Sequence, residues 1–349
     1  MAIRAPVVPP RPAGFGETSV PELVDAHGRA IEYLRLSLTD RCNLACVYCM
    51  PPEGEREHAE RAELLRFEEA VRLVGAFAAG GVRRVRFTGG EPLVRKDVVQ
   101  LVAMVKRAHP ELELVMTTNA MRLPELAQPL ADAGLGAVNV SLDTLDPARF
   151  ARLARGGELA VVLAGIHAAK SAGLEVKLNA VALGGENDDE IGALVDWAWS
   201  LDITPRFIEL MPLGEAALLP RERFLSAHAI RERLADRLGA STGADAGRGP
   251  ARYVEAADGS GRRVGFITAV SDEFCGTCNR VRVTAQGDLR ACLADRRAVS
   301  LRDPIRAGAS DADLLWTIHW ALNTKASGHA FTDPDAEEHT HVGMSLIGG

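Results

Sequence analysis

The chain has no long apolar run. Nowhere in its 349 residues do about eighteen apolar residues follow one another, so we predict no membrane-spanning helix. The first eleven residues are rich in proline and have no apolar core of the length found in secretion signals. We therefore expect a cytoplasmic protein.

An excess of positive charge is also missing. The chain has 40 lysines and arginines against 47 aspartates and glutamates, which gives a formal net charge of -7 and a pI near 5.8. This balance argues against a general nucleic-acid binder and against a protein that works on a membrane surface. Aromatic residues are few at 5% and glycines are many at 33, as expected of an α/β protein.

Cysteine is scarce, and its distribution is informative. All six cysteines fall into two groups of three, Cys42/Cys46/Cys49 and Cys275/Cys278/Cys292. In a reducing compartment such grouping predicts metal ligation rather than disulfides.

The first group is compact and follows a strand-like run. A four-iron cluster takes one thiolate at each iron, so three cysteines can hold it and leave one iron open for chemistry. A structural zinc site is the alternative, although it would need a fourth Cys or His close by.

Apolar strands alternate with longer amphipathic helices along the chain from residue 31 to residue 237. Six such β-α units predict a parallel sheet that right-handed crossovers curve into an open or partial barrel. A doubly wound sheet is the competing architecture. Polar residues at the strand ends favour the barrel, because barrel enzymes collect their reactive groups at that rim: Thr88-Gly89-Gly90-Glu91, Thr117-Thr118-Asn119, Ser141-Leu142-Asp143, Asn179 and Glu209-Leu210-Met211.

Composition divides the chain into four parts. We predict a mobile N-terminal extension over residues 1–28, the barrel over 29–238, a linker loop over 239–250 and a C-terminal region over 251–349. The last part contains several short strands and one helix, and it ends in Gly348-Gly349.

The second cysteine group lies in this C-terminal region and consists of a CxxC pair and a distant cysteine. The spacing suits either a second cluster or a zinc ribbon, which one of four histidines could complete: His319, His329, His339 or His341. Arg280 and Arg282 follow directly and point to one face of a predicted strand.

The Cys42-x3-Cys46-x2-Cys49 loop with Tyr48 before its last cysteine, followed by Gly89-Gly90-Glu91-Pro92, resembles the radical S-adenosylmethionine (SAM) enzymes. The second group, in Phe274-Cys275-Gly276-Thr277-Cys278-Asn279-Arg280-Val281-Arg282, and the terminal Ile347-Gly348-Gly349 narrow the resemblance. It is to the GTP 3′,8-cyclase family of molybdenum cofactor biosynthesis.

The resemblance implies a partial barrel of six β-α units and two [4Fe-4S] clusters, one on each cysteine group, with SAM on the open iron of the first. It implies a SAM site at Tyr48, Gly90, Ser141 and Met211. It implies GTP contacts from Arg35, Arg86, Thr117, Lys177, Arg280, Val281 and Arg282, with Arg280 and Arg282 acting on the substrate.

The reaction implied is abstraction of the hydrogen at ribose C3′ by a 5′-deoxyadenosyl radical, followed by attack of C3′ on guanine C8. The product is 3′,8-cyclo-7,8-dihydro-GTP, and the Gly348-Gly349 tail would reach the active site. Expected partners are GTP, an electron donor, and the cyclic pyranopterin monophosphate synthase that acts next. A homodimer is an open alternative.

Ala120 departs from the family pattern, which usually has glycine there, and alanine would be strained if that position needs a positive φ. Two other functions stay open at this point. One is a radical SAM enzyme that modifies a peptide with the help of an auxiliary cluster. The other is a zinc-dependent interaction module.

Overall fold

The computed structural model describes residues 8–16, 20–51, 58–244, 249–295, 297–329, 331 and 343–347. Six parallel strands form its centre: β1 (Tyr33–Ser37), β2 (Arg84–Thr88), β3 (Glu113–Thr118), β4 (Ala137–Ser141), β5 (Glu175–Val181) and β6 (Thr204–Ile208). The helices that accompany them are α1 (Phe67–Ala79), α2 (Val98–Ala108), α3 (Leu123–Asp132), α4 (Pro147–Ala154), α5 (Leu159–Ser171), α6 (Ile191–Ser200) and α7 (Ala227–Glu232).

The six central strands lie in the sheet in the order in which they occur in the chain. A doubly wound sheet would reverse its strand order at a switch point, and no reversal occurs between β1 and β6. The helices bury apolar stripes against this sheet, as α1 does with Leu73, Val74 and Phe77. The predicted α/β architecture with a parallel central sheet is confirmed.

The C-terminal region continues the same sheet instead of forming one of its own. Its elements are β7 (Leu238–Ala244), β8 (Arg252–Ala256), β9 (Arg263–Ile267), β10 (Arg280–Val283), β11 (Asp288–Arg290), β12 (Val299–Ser300), α8 (Arg302–Arg306), α9 (Asp311–Leu322) and α10 (Met344–Ile347). β9 pairs with β6 and β10 pairs with β1, both in parallel. The region therefore satisfies the backbone groups at both edges of the six-stranded centre.

Several segments differ from the sequence-based expectation, among them β7 and α4. Residues 239–250 were predicted to be a linker loop, yet residues 239–244 belong to β7, which pairs antiparallel with β8. Gly, Ala, Ser and Thr show no clear strand pattern in the sequence, so β7 depends on backbone pairing. The helix α4 was not predicted, although it begins with a recognisable signal. Asp146 accepts a hydrogen bond from the Arg149 amide at 2.6 Å, and Pro147 occupies the first helical position.

Described parts of residues 1–28 contact the rest of the protein, where the sequence suggested a mobile extension. Leu23 is fully buried, and its amide donates to the Gly80 carbonyl at 2.8 Å. The Trp316 indole donates to the Pro9 carbonyl at 2.8 Å.

Among the residues described, none belongs to a helix that is both long and apolar enough to cross a bilayer.

Candidate active site

The first cysteine group lies in a loop directly after β1. Cys42, Cys46 and Cys49 all line one cavity of about 280 Å³ at the carboxyl ends of the central strands. Burial and then the nearby Asp143 and the other two thiols raise the pKa of Cys46 well above its ordinary value. Three crowded thiolates need a positive centre between them, and an iron cluster would provide it.

Hydrogen-bond donors support this fit. The Leu44 amide donates to Cys42 Sγ at 3.4 Å, and Asn119 Nδ2 donates to the same sulfur at 3.8 Å and to Asn43 Oδ1 at 2.8 Å. Hydrogen bonds to the ligating sulfurs are a regular feature of iron–sulfur sites. The donor set of this loop therefore suits a cluster.

The Gly89-Gly90 pair is pressed against the start of the cysteine loop. The Gly90 amide donates to the Thr39 carbonyl at 2.7 Å. A Cβ at Gly90 would lie 2.4 Å from the Arg41 carbonyl oxygen, and one at Gly89 would lie 2.4 Å from that of Thr39. We infer that these glycines are required because the backbones approach so closely.

Glu91 connects the same segment to the next strand. Its carboxylate accepts hydrogen bonds from the Thr118 hydroxyl at 2.8 Å, the Asn119 amide at 2.7 Å and the Leu93 amide at 2.9 Å. Burial raises the pKa of Glu91 to about 7, although these hydrogen bonds act to lower it. Glu91 thus holds Asn119 where it reaches Cys42.

Tyr48 is anchored across the cavity. Its hydroxyl donates to Asp143 Oδ2 at 2.5 Å, and Asp143 Oδ1 accepts from the Val181 amide at 2.8 Å. Burial raises the pKa of Asp143 to about 6. Burial and then Asp143 raise the pKa of Tyr48 well above its usual value. The pair joins the cysteine loop to the ends of β4 and β5.

Below this loop the cavity is lined by five arginines from four strands: Arg35, Arg86, Arg206, Arg280 and Arg282. All except the half-buried Arg35 are buried. Burial and then the charge of Arg280 lower the pKa of Arg282 to about 10, and burial and then Arg282 lower that of Arg35 well below its usual value. Crowded buried cations of this kind call for a multiply charged anion.

Arg206 is the cavity residue that the sequence analysis missed. It is 7% exposed, and its Nε and Nη2 atoms have no hydrogen-bond partner among the described residues. The available signal was its position inside the apolar strand Thr204–Ile208, where an arginine is unusual. Asn139 and Asn179 line the same cavity and offer polar atoms beside the arginines.

The structure brings together most of the residues that the resemblance implicates. Tyr48, Gly90, Ser141, Met211, Arg35, Arg86, Thr117, Arg280 and Arg282 all line the cavity. Lys177 and Val281 do not. Lys177 pairs with Glu175 at 2.9 Å, and Val281 is in the core with 1% exposure. Met344 of α10 lines the cavity as well, while Gly348-Gly349 falls outside the described residues.

The second cysteine group lies at the opposite end of the strands. Cys275 and Cys278 precede β10, which runs parallel to β1, whereas the first group follows β1. The five residues of β1 span about 13 Å at 3.3 Å per residue. Phe274 and Leu293, which adjoin this second group in sequence, line the cavity. The two groups therefore lie at opposite ends of the strands, and the second group adjoins the cavity through these two neighbours rather than through its own cysteines.

The chemistry of the second group also suits a cluster. Although burial raises it, the pKa of Cys278 is lowered overall because Lys325 and Arg280 are near. The described chain has one group of three ligand atoms within 4.8 Å of one another, on Glu273, Cys275 and His329. Tetrahedral zinc ligands would lie about 3.8 Å apart, so neither cysteine triple is as compact as a zinc site.

The other histidines of the zinc alternative have different positions. His319 lies on α9 and packs against Phe15 and Trp316. Its ring centroid is 5.5 Å from that of Phe15 and 6.1 Å from that of Trp316. His339 and His341 lie outside the described residues.

Glu209, at the end of β6, holds the loop that leads to the second group. Its carboxylate accepts hydrogen bonds from the Val270 and Ser271 amides, both at 2.9 Å, and from the Ala227 amide at 2.7 Å. Glu209 is 1% exposed, so these bonds are shielded from water. The loop before Phe274 is thereby tied to the barrel.

Comparisons with known proteins agree with this arrangement. The Radical SAM superfamily model matches residues 36–198, and the Molybdenum Cofactor Synthesis C model matches residues 203–331. A GTP 3′,8-cyclase of Caulobacter vibrioides is 46% identical over 338 residues, which cover 95% of this chain and 95% of the relative. A GTP 3′,8-cyclase of Heliobacterium modesticaldum is 46% identical over 94% of this chain and 100% of the relative.

Among solved structures, Streptococcus suis SuiB bound to S-adenosylmethionine is similar, with a TM-score of 0.57 and 18% identity. The match covers 77% of this chain and 62% of SuiB, and at that identity it shows the fold alone. The chain belongs to the radical SAM superfamily and, within it, to the family of these GTP 3′,8-cyclase relatives.

Proposed function

We propose that the chain is a GTP 3′,8-cyclase that converts GTP to 3′,8-cyclo-7,8-dihydro-GTP in molybdenum cofactor biosynthesis. The observation that carries this proposal is the set of five arginines in a cavity that is lined by the first cysteine group and adjoins the second. A nucleoside triphosphate matches the charge of that space, because guanidinium groups bind phosphate oxygens in bidentate fashion. An enzyme acting on a peptide would have less need of these cations.

The proposed cofactors are SAM and two [4Fe-4S] clusters, held by Cys42, Cys46 and Cys49 and by Cys275, Cys278 and Cys292. When bound, SAM and the first cluster supply the radical chemistry that removes the C3′ hydrogen. Tyr48, Gly90, Ser141 and Met211 would form the SAM site, since all four line the cavity beside the first group. Met211 and Tyr48 present apolar surface to the adenine.

Phosphate binding is assigned to the arginines. Arg35 Nε, Arg280 Nε and two nitrogens of Arg206 are buried donors that lack a partner among the described residues. A triphosphate would satisfy them and neutralise the local charge. Thr117 would add a hydroxyl, and its Oγ1 already accepts from Arg86 at 3.2 Å. Lys177 would also bind phosphate if its ammonium group exchanged Glu175 for the triphosphate.

At the far end, Phe274 and Leu293 border the space in which the guanine would approach the second cluster. Arg280 and Arg282 would orient the ribose and guanine so that C3′ faces C8, and the half-buried cavity would limit solvent access. Closing the ring leaves an unpaired electron on the guanine. One electron and one proton must be added to this radical to form the product, so an electron donor is a further partner. The downstream synthase would receive the product.

The C-terminal tail completes the proposal. Met344 reaches the cavity, and Gly348-Gly349 follows it by four residues. Two glycines can enter a crowded site because they carry no side chains. We assign them to the active site on this ground.

The test is anaerobic reconstitution with iron and sulfide, followed by reductant, SAM and GTP. We expect 5′-deoxyadenosine formation that depends on GTP, and a cyclised nucleotide with the mass of GTP. Absence of both from protein that carries its full iron and sulfide would reject the assignment. Omitting GTP, or replacing it with ATP, gives the matched controls.

A further inference from the structure

Two buried cations from distant parts of the chain hold the second cysteine loop. Lys325, just after α9, donates from Nζ to the carbonyls of Cys278 at 3.1 Å and Arg280 at 2.8 Å. Arg29, just before β1, donates from Nη1 to the carbonyl of Cys275 at 2.7 Å. The backbone from Cys275 to Arg280 is therefore held from both sides by positive groups.

These cations are unusually well buried. The side chains of Lys325 and Arg29 are 2% and 8% exposed, and that of Asp25 is 0% exposed. Asp25 Oδ2 lies 2.6 Å from Arg29 Nε but 4.0 Å from Lys325 Nζ. Arg29 thus has a close carboxylate partner, whereas the ammonium group of Lys325 is bonded to neutral carbonyls.

A purely structural role explains only part of this arrangement. Arg29 also donates to the Ala326 and Ser327 carbonyls at 2.7 Å and 3.1 Å, and this alone would join the two segments. A buried ammonium group is unfavourable unless an anion compensates it, and Asp25 lies closer to Arg29 than to Lys325. The thiolates of Cys275, Cys278 and Cys292, together with the cluster they would hold, carry net negative charge and supply further compensation.

We propose that Lys325 is a positioning residue for the second cluster: its ammonium group fixes the Cys278–Arg280 backbone and offsets the negative charge of the cluster. The inference rests on the proposed second cluster. The same residue would also explain the position of Arg280. Lys325 donates to the Arg280 carbonyl, so it would help to place the Arg280 side chain against GTP.

The experiment isolates the second cluster. The full-length chain with Cys42, Cys46 and Cys49 all changed to Ala is reconstituted, and its remaining cluster is followed by iron analysis and by a redox titration monitored with electron paramagnetic resonance. Lys325→Met is added to this parent. Lys106→Met is the control, because Lys106 Nζ likewise donates to two carbonyls, of Pro110 at 2.7 Å and Leu112 at 3.0 Å. Lys106 lies on α2, which follows β2, and β2 is separated from β10 by β1 in the sheet.

In Lys325→Met we expect the midpoint potential to become more negative and iron to be lost to a chelator about tenfold faster, as for other partners of metal ligands. Lys106→Met should behave as the parent does. Lys325→Arg keeps the charge and should keep the potential near that of the parent. Equal shifts in the Met and Arg variants would overturn the charge assignment, and an unchanged potential and chelator rate in Lys325→Met would overturn the whole proposal.

Asp25→Asn tests the same charge effect at a second residue. It removes the negative charge beside Arg29 and Lys325 with little change in shape, so the potential should move to more positive values. A potential that stays at the parent value would contradict the proposal. If the parent itself binds no iron, the second cluster is absent and the proposed function fails first, which separates the two outcomes.

Discussion

Arg35 on β1 and Arg282 on β10 are direct neighbours in the parallel register of the two strands. One comes from the start of the barrel and the other from the C-terminal region, yet both project into the same cavity. The charge of Arg282 is, after burial, the main reason that the pKa of Arg35 is lowered. The site is therefore electrostatically unfavourable until an anion binds.

Arg35→Met should have opposite effects on stability and on binding. Without GTP it removes a repelled cation, so the urea concentration at half-unfolding should rise. GTP binding should weaken about tenfold or more, since a charge-assisted hydrogen bond contributes about 1.5–3 kcal/mol. Denaturant titration and calorimetric titration with GTP measure the two effects. Arg107→Met, at an exposed position of α2, is the control, and weakened binding there or a destabilised Arg35→Met apoprotein would contradict this account.

Arg206 should matter more for GTP than Lys177 does. Arg206 has two buried nitrogens without partners among the described residues, whereas Lys177 already pairs with Glu175. Calorimetric titration of Arg206→Met and Lys177→Met with GTP should show the larger loss, about tenfold or more, in the Arg206 variant. A larger loss in Lys177→Met would mean that Lys177 leaves Glu175 to bind phosphate.

Gly90→Ala should disrupt the first cysteine loop. The new Cβ would lie 2.4 Å from the Arg41 carbonyl oxygen and 2.8 Å from that of Asp40, so the loop must shift. We expect the iron content after reconstitution to fall by about the share of one cluster. Gly276→Ala is the matched control, because a Cβ there meets nothing within 4 Å. Full iron content in Gly90→Ala would show that the loop adapts.

Ala120→Gly should stabilise the protein. Ala120 has a φ of 64°, a conformation that costs a residue with a Cβ about 1–2 kcal/mol. Glycine recovers this cost but loses about 0.5–1 kcal/mol of backbone entropy, so a net gain of about 0.5–1 kcal/mol is expected from chemical denaturation. Ala180→Gly, in the ordinary strand β5, should instead lose stability. A destabilised Ala120→Gly would argue against strain at this position.

Glu69 should make stability depend on acid pH. It accepts hydrogen bonds from Arg66 Nε and Arg306 Nε, both at 2.9 Å. Although burial opposes them, these partners lower the pKa of Glu69 to about 2. Its contribution is therefore present above pH 4.5, the usual value, and is lost as the pH falls towards 2.

Glu69→Gln should lower the free energy of unfolding by about 1.5–3 kcal/mol at pH 7. The difference from the unchanged protein should shrink between pH 4.5 and pH 2, as followed by urea denaturation across that range. Glu125→Gln, at an exposed pair with Arg122, should change little. A pH-independent difference would mean that packing, not charge, accounts for the effect.

Much of the fold was predictable because it depends on local periodicity. The limits of β5 match the prediction, and the other central strands differ by at most two residues at either end. Spacing predicted that the cysteines form two ligand groups but left zinc open for both, and strand alternation predicted that Arg280 and Arg282 share a face. Ala120 was recognised as a departure, and the positive φ that the structure gives it supplies the reason.

Other features depend on contacts that are distant in sequence. Nothing in the Gly-rich segment Leu238–Ala244 indicates β7, whose existence depends on pairing with β8. Arg206 is a single residue in an apolar strand, and only the assembled barrel shows that it faces four other arginines. The same holds for Lys325, whose carbonyl partners are 45 and 47 residues away.

The most direct test of the central claim uses GTP labelled with deuterium at C3′. Reconstituted protein with SAM, reductant and this GTP should yield 5′-deoxyadenosine that carries the deuterium, together with a cyclised nucleotide that has lost it from C3′. Unlabelled 5′-deoxyadenosine, formed at the same rate with and without GTP and without a cyclised product, would contradict the account.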